Sequence, residues 1–146
     1  MTINIASEDE MKALGVRIAR ALAGESGVRV LELIGDVGAG KTTLVKGLAA
    51  GLGIIEEVAS PSFTISRVYD IPPRSRLFHY DFYRLTDAGI LRDELAEVID
   101  DPTAITVIEW AQIVDDVLPD PHARVTIRAT GENEREVIVY GLEGLE

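Results

Sequence analysis

Apolar side chains recur at Met11, Leu14, Ile18 and Leu22, the spacing of one buried helical face, directly behind Ser7-Glu8-Asp9-Glu10. A serine followed three residues later by a glutamate has the spacing of a capping box. A first amphipathic helix is therefore predicted there, after a weakly alternating strand over Thr2 to Ala6. The period then shortens. Val28-Arg29-Val30-Leu31-Glu32-Leu33-Ile34 is β-rich and predicts a strand, while Thr42 to Leu52 returns to helical character and stops at Gly53. Phe63 to Tyr69 and Arg76 to Phe82 predict a hairpin around Asp70-Ile71-Pro72-Pro73-Arg74-Ser75, where neither proline has an N–H to give a ladder. Asp87 to Ile99 predicts a helix with Ile90, Leu91, Leu95 and Val98 on its buried face, ended by Asp100-Asp101-Pro102. Ile105-Thr106-Val107-Ile108 predicts a buried strand. After a polar, partly helical stretch to Leu118-Pro119-Asp120-Pro121, Val125 to Arg128 and Val137 to Tyr140 flank Gly131-Glu132-Asn133-Glu134 as a closing hairpin. Helices and strands mix along the whole chain. The expected fold is a three-layer α/β domain with a mixed sheet, spanning 1–146 as one domain.

Gly35-Asp36-Val37-Gly38-Ala39-Gly40-Lys41-Thr42 lies between a predicted strand and a predicted helix and fits the pattern G-x-x-x-x-G-K-S/T. Gly38 and Gly40 let the backbone turn sharply and, with Ala39, present N–H groups to phosphate oxygens. Lys41 reaches the β- and γ-phosphates, Thr42 offers a hydroxyl to Mg²⁺, and Thr43 can add an α-phosphate contact. A mere strand-to-helix turn needs neither Lys41 nor Thr42 at those offsets, so the three-layer α/β domain is expected to be of the P-loop NTPase type. A second acidic group is required at the end of a neighbouring strand, and Glu109 follows Ala104-Ile105-Thr106-Val107-Ile108. There it can hold the Mg²⁺ shell or orient water; otherwise it is a solvated strand end. For Trp110 beside it, packing is favoured over ligand contact.

His79-Tyr80-Asp81-Phe82-Tyr83-Arg84 alternates, which puts His79, Asp81 and Tyr83 on one face and Phe82 on the other. Asp81 can position water or support Mg²⁺, or else pair with Arg84; for His79 a local hydrogen bond is favoured over catalysis. Ser60-Pro61-Ser62-Phe63-Thr64 stands where P-loop enzymes carry a switch that senses the γ-phosphate, with Ser60, Ser62 and Thr64 as its hydroxyls; a proline-fixed loop is the plainer reading.

Composition narrows the function. The formal net charge is −11, from 14 Lys plus Arg against 25 Asp plus Glu, which opposes a broad grip on nucleic acid but not nucleotide binding by a loop with its own local field. There is no cysteine, no long apolar span and no secretory leader pattern, so a cytoplasmic protein without membrane partners is expected.

Taken together, the glycine loop through Thr43, Ser60-Pro61-Ser62-Phe63-Thr64, His79-Tyr80-Asp81-Phe82-Tyr83-Arg84 and Ile108-Glu109-Trp110 closely resemble the bacterial TsaE family in order and spacing. The resemblance covers nearly the whole chain. It implies an ATPase needed for threonylcarbamoylation of adenosine 37 in tRNA, acting with TsaB and TsaD, with tRNA reached only through those partners. It further implies that Lys41 and Thr42 bind ATP and Mg²⁺, that Glu109 helps hold Mg²⁺, and that Asp81 supports hydrolysis. By the same resemblance, Ser7, Glu8 and Arg135 belong to the nucleotide pocket. Two departures stand out: Ser62 replaces a usual threonine, and Asp93-Glu94-Leu95-Ala96-Glu97 lacks the common Gly-Leu or Gly-Ile. The alternatives are a P-loop small-molecule kinase, for which no arginine-rich lid insertion is visible, and a nucleotide-gated binding module. A GTPase is disfavoured because no Asn-Lys-x-Asp or Thr-Lys-x-Asp sequence occurs.

Overall fold

A computed structural model of the chain describes residues 1–24, 27–36, 38–61, 65–143 and 145. Its strands are β1 (Thr2–Ile5), β2 (Val30–Ile34), β3 (Ser66–Ile71), β4 (Ser75–Asp81), β5 (Ala104–Glu109), β6 (Ala123–Ala129) and β7 (Arg135–Tyr140). The α-helices are α1 (Glu8–Ala23), α2 (Lys41–Gly51) and α3 (Ile90–Asp100), and a 3-10 helix covers Ala111–Val117.

All seven strands join one sheet in the order β1-β7-β6-β2-β5-β4-β3. The central four, β6, β2, β5 and β4, run parallel, while β1, β7 and β3 pair antiparallel at the two edges. The connections explain this mixture. Parallel strands need crossovers, supplied by α3 between the neighbours β4 and β5 and by the 3-10 helix in the connection from β5 past β2 to β6, whereas short turns close the β3–β4 and β6–β7 hairpins. Every residue of β5 is buried, as expected of a strand covered on both faces. On one face Leu31, Leu33, Leu77, Ile105, Val107, Val125 and Ile127 pack against Leu14, Ile18, Leu44 and Leu48 of α1 and α2. On the other, Val30, Tyr80 and Ile108 pack against Leu95 of α3 and Val114 of the 3-10 helix. Helices, sheet and helices make the three layers.

The helix pair α1–α2 meets backbone to backbone because glycines face the contact. A Cβ added at Gly15 would lie 2.6 Å from Leu48 N, one at Gly47 2.6 Å from Lys12 Cα, and one at Gly51 2.8 Å from Ala19 Cβ. This fixes α1 against the helix that begins at Lys41, so the start of α1 is carried to the phosphate loop. Ser7 caps α1 as its spacing predicts: its Oγ accepts from Glu10 N at 3.1 Å, and Glu10 Oε2 accepts from Ala6 N at 2.7 Å.

Several expected boundaries shift. The strand predicted over Phe63 to Tyr69 begins at Ser66, since Ile65 has φ 67, a left-handed conformation incompatible with a strand; Phe63 and Thr64 lie outside the described residues. The partner strand ends at Asp81 rather than Phe82. The helix predicted from Asp87 starts at Ile90, because Asp87 Oδ1 accepts Gly89 N at 3.0 Å and Gly89 has φ 55. No helix of the described residues is long and apolar enough to cross a membrane.

Candidate functional site

The loop after β2 is shaped by two glycines with positive φ, Gly38 at 82° and Gly40 at 111°. A side chain at either would strain the backbone, so the turn into α2 depends on glycine there. Ala39 N bonds Asp36 O at 3.0 Å and tightens the turn; Val37 lies outside the described residues. Gly40 is the N-cap of α2, with no side-chain cap and no acidic residue in the first turn. The first N–H groups of a helix have no acceptor inside it, and here neither the N-cap residue nor the first turn supplies a capping oxygen or a carboxylate to meet them. That arrangement suits an external anion.

Opposite this loop stand the ends of β4 and β5. Asp81 and Glu109 are direct register partners on these parallel strands, and Leu33 of β2 pairs with Glu109 on its other side. Glu109 is the last residue of β5 rather than the residue after it. Alternation puts it on the same face as Ile105 and Val107, and His79 and Asp81 on the same face as Leu77, which is the α1–α2 side. Among the described residues the buried polar and charged side chains are Lys41, His79, Asp81, Thr106 and Glu109, and four of these five belong to this cluster. Withdrawing charges from water is costly unless they are paired. Lys41 Nζ lies 3.5 Å from Glu109 Oε1, and His79 Nε2 lies 2.6 Å from Glu109 Oε2. Asp81 Oδ1 accepts from Tyr83 N at 3.0 Å.

Tyr83 follows the end of β4, so it does not continue the strand face. It is turned outward, and its ring centroid sits 4.8 Å from that of Trp110. Trp110 is half-buried with φ 57, and Lys41 Nζ lies 4.8 Å from its ring centroid. It packs against the apolar cluster beneath α3 and the 3-10 helix and also meets the lysine of the loop. Behind the site, Tyr80 donates its hydroxyl to Glu94 Oε1 at 3.0 Å and ties β4 to α3; burial first, then Glu94, push the phenol's pKa up.

The segment Ser60 to Thr64 is described only at its start, since Ser62 and Thr64 lie outside the described residues. Its flanks reach the acidic cluster. Ile65 N bonds Pro61 O at 2.7 Å, and Asp81 N bonds Ile65 O at 2.8 Å, so the residue that follows the segment is fastened to the backbone of Asp81. Tyr69 holds the near end through Ala59, its hydroxyl accepting from Ala59 N at 3.2 Å.

On the opposite flank of the loop, Ser7, Glu8, Met11, Gly38, Gly40, Thr43, Asn133 and Arg135 border a cavity of about 350 Å³. Ser7, Glu8 and Arg135 come together there with the phosphate loop despite their separation in sequence. Arg135 also does something unforeseen: its Nε donates to Ala39 O at 2.9 Å, and its guanidinium donates to Gly131 O at 3.1 Å and Glu134 O at 2.8 Å. It joins the β6–β7 turn to the phosphate loop. Asn133, read from sequence only as a turn residue, also lines this cavity, and nothing in its local pattern signals that.

Mg²⁺ can be tested against these donors. Among the described residues no group of three or more His, Asp or Glu side chains could hold a metal on its own. One or two carboxylates and a hydroxyl, completed by water and substrate phosphate, suit Mg²⁺, which seldom occupies an all-protein cage. Glu109, at the end of β5, and Thr42, in the first turn of α2, are side chains of that chemical kind.

Residues 5–137 match the family model described as threonylcarbamoyl adenosine biosynthesis protein TsaE. Curated relatives named tRNA threonylcarbamoyladenosine biosynthesis protein TsaE include one from Bacillus subtilis, 37% identical over 131 residues, covering 88% of this chain and 78% of the relative. One from Streptomyces coelicolor is 37% identical over 141 residues, covering 92% and 90% respectively. A crystal structure of Bacillus subtilis YdiB superposes with a TM-score of 0.74 at 33% identity, covering 99% of this chain and 86% of that one.

Proposed function

The chain belongs to the TsaE family of threonylcarbamoyl adenosine biosynthesis proteins, and from that premise we propose that it is a Mg²⁺-dependent ATPase acting on a TsaB and TsaD complex in the cytoplasm. Its work serves the threonylcarbamoylation of adenosine 37 in tRNA. The observation that carries the reading is the approach of Lys41 Nζ to Glu109 Oε1, 3.5 Å apart, with Asp81 in register beside Glu109. A phosphate-binding lysine and the two acidic strand ends occupy one water-poor site, where charge interactions are strongest.

Gly38, Ala39, Gly40, Lys41, Thr42 and Thr43 bind the phosphates of ATP through backbone N–H groups, the ammonium and the hydroxyls. Ser7, Glu8 and Arg135 border the remainder of the nucleotide. Thr42 and Glu109 would hold Mg²⁺, which when bound would neutralise charge on the transferring phosphoryl group. Asp81 positions the attacking water. Binding exchanges the partner of Lys41: the phosphates draw its ammonium from Glu109, which leaves that carboxylate for its role in hydrolysis. Ser60, Ser62 and Thr64 form the segment that reads the γ-phosphate, a reading supported by the bond from Asp81 N to the carbonyl of Ile65, the residue that follows it.

With a net charge of −11, the chain reaches tRNA through its partners rather than by its own surface. The test is ATPase activity of the purified chain with and without TsaB and TsaD, alongside repeated-cycle modification of tRNA. Turnover should be slow alone and rise in the mixture, and modification should need ATP and fail with Lys41→Ala. Full ATPase activity alone, with modification equally fast when the chain is omitted, would overturn the reading and favour a free-standing ATPase or a kinase.

A further inference from the structure

His79 is 1% exposed, and among the described residues its single polar contact is Nε2 to Glu109 Oε2 at 2.6 Å and its Nδ1 has no hydrogen-bond partner. A buried imidazole left half-satisfied is a poor choice for packing, since an apolar side chain would fill the same place with nothing unpaired. The compensation lies at the other end of the contact. Glu109 ends a strand on a side chain with a broad terminal torsion, so its carboxylate would turn readily if nothing held it. Its two oxygens are divided here: Oε1 faces Lys41, and Oε2 faces His79. His79 stands two residues before Asp81 on β4 and is in register with Val107, so the contact is set by the parallel β4–β5 pairing rather than by a loop.

We propose that His79 is a positioning residue for Glu109: its Nε2–H holds Oε2, so that Oε1 can pass from Lys41 to Mg²⁺ without the carboxylate turning. This rests on the reading of Glu109 given above. The imidazole is the outer partner of a metal-ligating carboxylate, and the donor is Nε2 whether or not Nδ1 also carries a proton. Acting through Glu109, His79 should govern metal affinity and turnover and leave nucleotide affinity alone.

The decisive pair of variants is His79→Gln and His79→Met, which match in length and differ in the amide donor. His79→Met should lower kcat and weaken Mn²⁺ binding to the protein–ADP complex, read by electron paramagnetic resonance, each by about 10–100-fold, as loss of such outer partners does. Its ADP affinity in EDTA, read from Trp110 fluorescence, should stay within about twofold, and His79→Gln should recover most of both losses. Wild-type kcat and Mn²⁺ affinity in His79→Met overturns the proposal, and so does equal damage in both variants at native melting temperature. Glu109→Gln serves as the separate control. If it keeps wild-type turnover, the reading of Glu109 itself fails; if it is inactive while His79→Met is normal, only the positioning role fails. A further measurement needs no variant. Of the two histidines, long-range ¹H–¹⁵N correlation should find the His79 ring protonated at Nε2, and protonation at Nδ1 alone would overturn the assignment.

Discussion

On the Glu109 flank of the phosphate loop Lys41, His79 and Asp81 are withdrawn from water and bonded to near neighbours, whereas on the Arg135 flank Ser7, Glu8 and Asn133 border an open cavity of about 350 Å³. The difference follows from the topology. The first flank is built on the ends of adjacent central strands, covered on both faces, where a side chain's position is set by register. The second is built from the start of α1 and the turn before β7, elements at the far side of the sheet that converge on the loop through the α1–α2 contact and through Arg135. Buried, preorganised charge suits stabilisation of a transition state, and an open polar rim suits recognition of a ligand. Substitutions of the buried carboxylates and His79 on the first flank should therefore act on kcat, and those on the second on KM, while Lys41, which faces both the phosphates and Glu109, should act on both.

The largest effect is expected at the acidic pair. Glu109→Gln and Asp81→Asn keep the shape of each side chain and remove its charge, and each should lower kcat by about 100-fold or more while ATP affinity changes by less than about threefold. Steady-state ATPase assays with TsaB and TsaD, paired with equilibrium binding read from Trp110, test both. A variant with wild-type kcat removes that carboxylate from the chemistry; a variant that loses binding instead erases the division between the flanks. Thermal melting must accompany Glu109→Gln, because its carboxylate is shared by Lys41 and His79 and an unpaired buried cation destabilises the fold.

An intermediate effect is expected at Arg135. The guanidinium bonds Ala39 O and the carbonyls of the β6–β7 turn at the same time, which a lysine's single ammonium cannot reproduce. Arg135→Lys should loosen the phosphate loop and raise KM for ATP by about tenfold, corresponding to about 1.4 kcal/mol, with kcat largely kept. A fall in kcat at unchanged KM would mean that the loop's geometry feeds the acidic flank, and the two flanks would then be one unit.

What the sequence made visible divides along the same line. The β-rich runs of β2 and β5 and the capped start of α1 were legible because their signals are local, and so was the phosphate loop, whose glycines and lysine sit at fixed offsets. Glu109 and Asp81 were legible as candidates, but their adjacency depends on β4 pairing with β5 in register, which no local pattern encodes. His79 was legible as a local hydrogen-bonder and not as the partner of Glu109 for the same reason. The Arg135–Ala39 bond spans 96 residues, and the glycine contact of α1 with α2 joins Gly15 to Gly47 across different elements. Both are products of tertiary packing. Boundaries moved where one backbone conformation prevailed over an otherwise sound pattern, as at Ile65 and Gly89.

The smallest effect is expected at Ser7, where helix capping and the nucleotide rim meet in one hydroxyl. Its Oγ already accepts from Glu10 N at 3.1 Å, within a cap completed by Glu10 Oε2 on Ala6 N, so its first duty is to hold the start of α1. Removing a serine cap costs about 1 kcal/mol, which for a chain of this size lowers the melting temperature by about 3–5 °C. Ser7→Ala should show that loss in the nucleotide-free protein. KM for ATP should rise by less than about threefold, because fraying the first turn displaces Glu8 at the cavity's edge without touching the phosphate loop. Ser7→Asp supplies a replacement cap oxygen and should restore the melting temperature, while its negative charge at the rim weakens binding of an anionic nucleotide slightly. An unchanged melting temperature in Ser7→Ala, together with a KM raised by tenfold or more, would mean that the hydroxyl serves the ligand first and the helix second. The Arg135 flank would then be a binding wall in its own right rather than a frame that holds the loop.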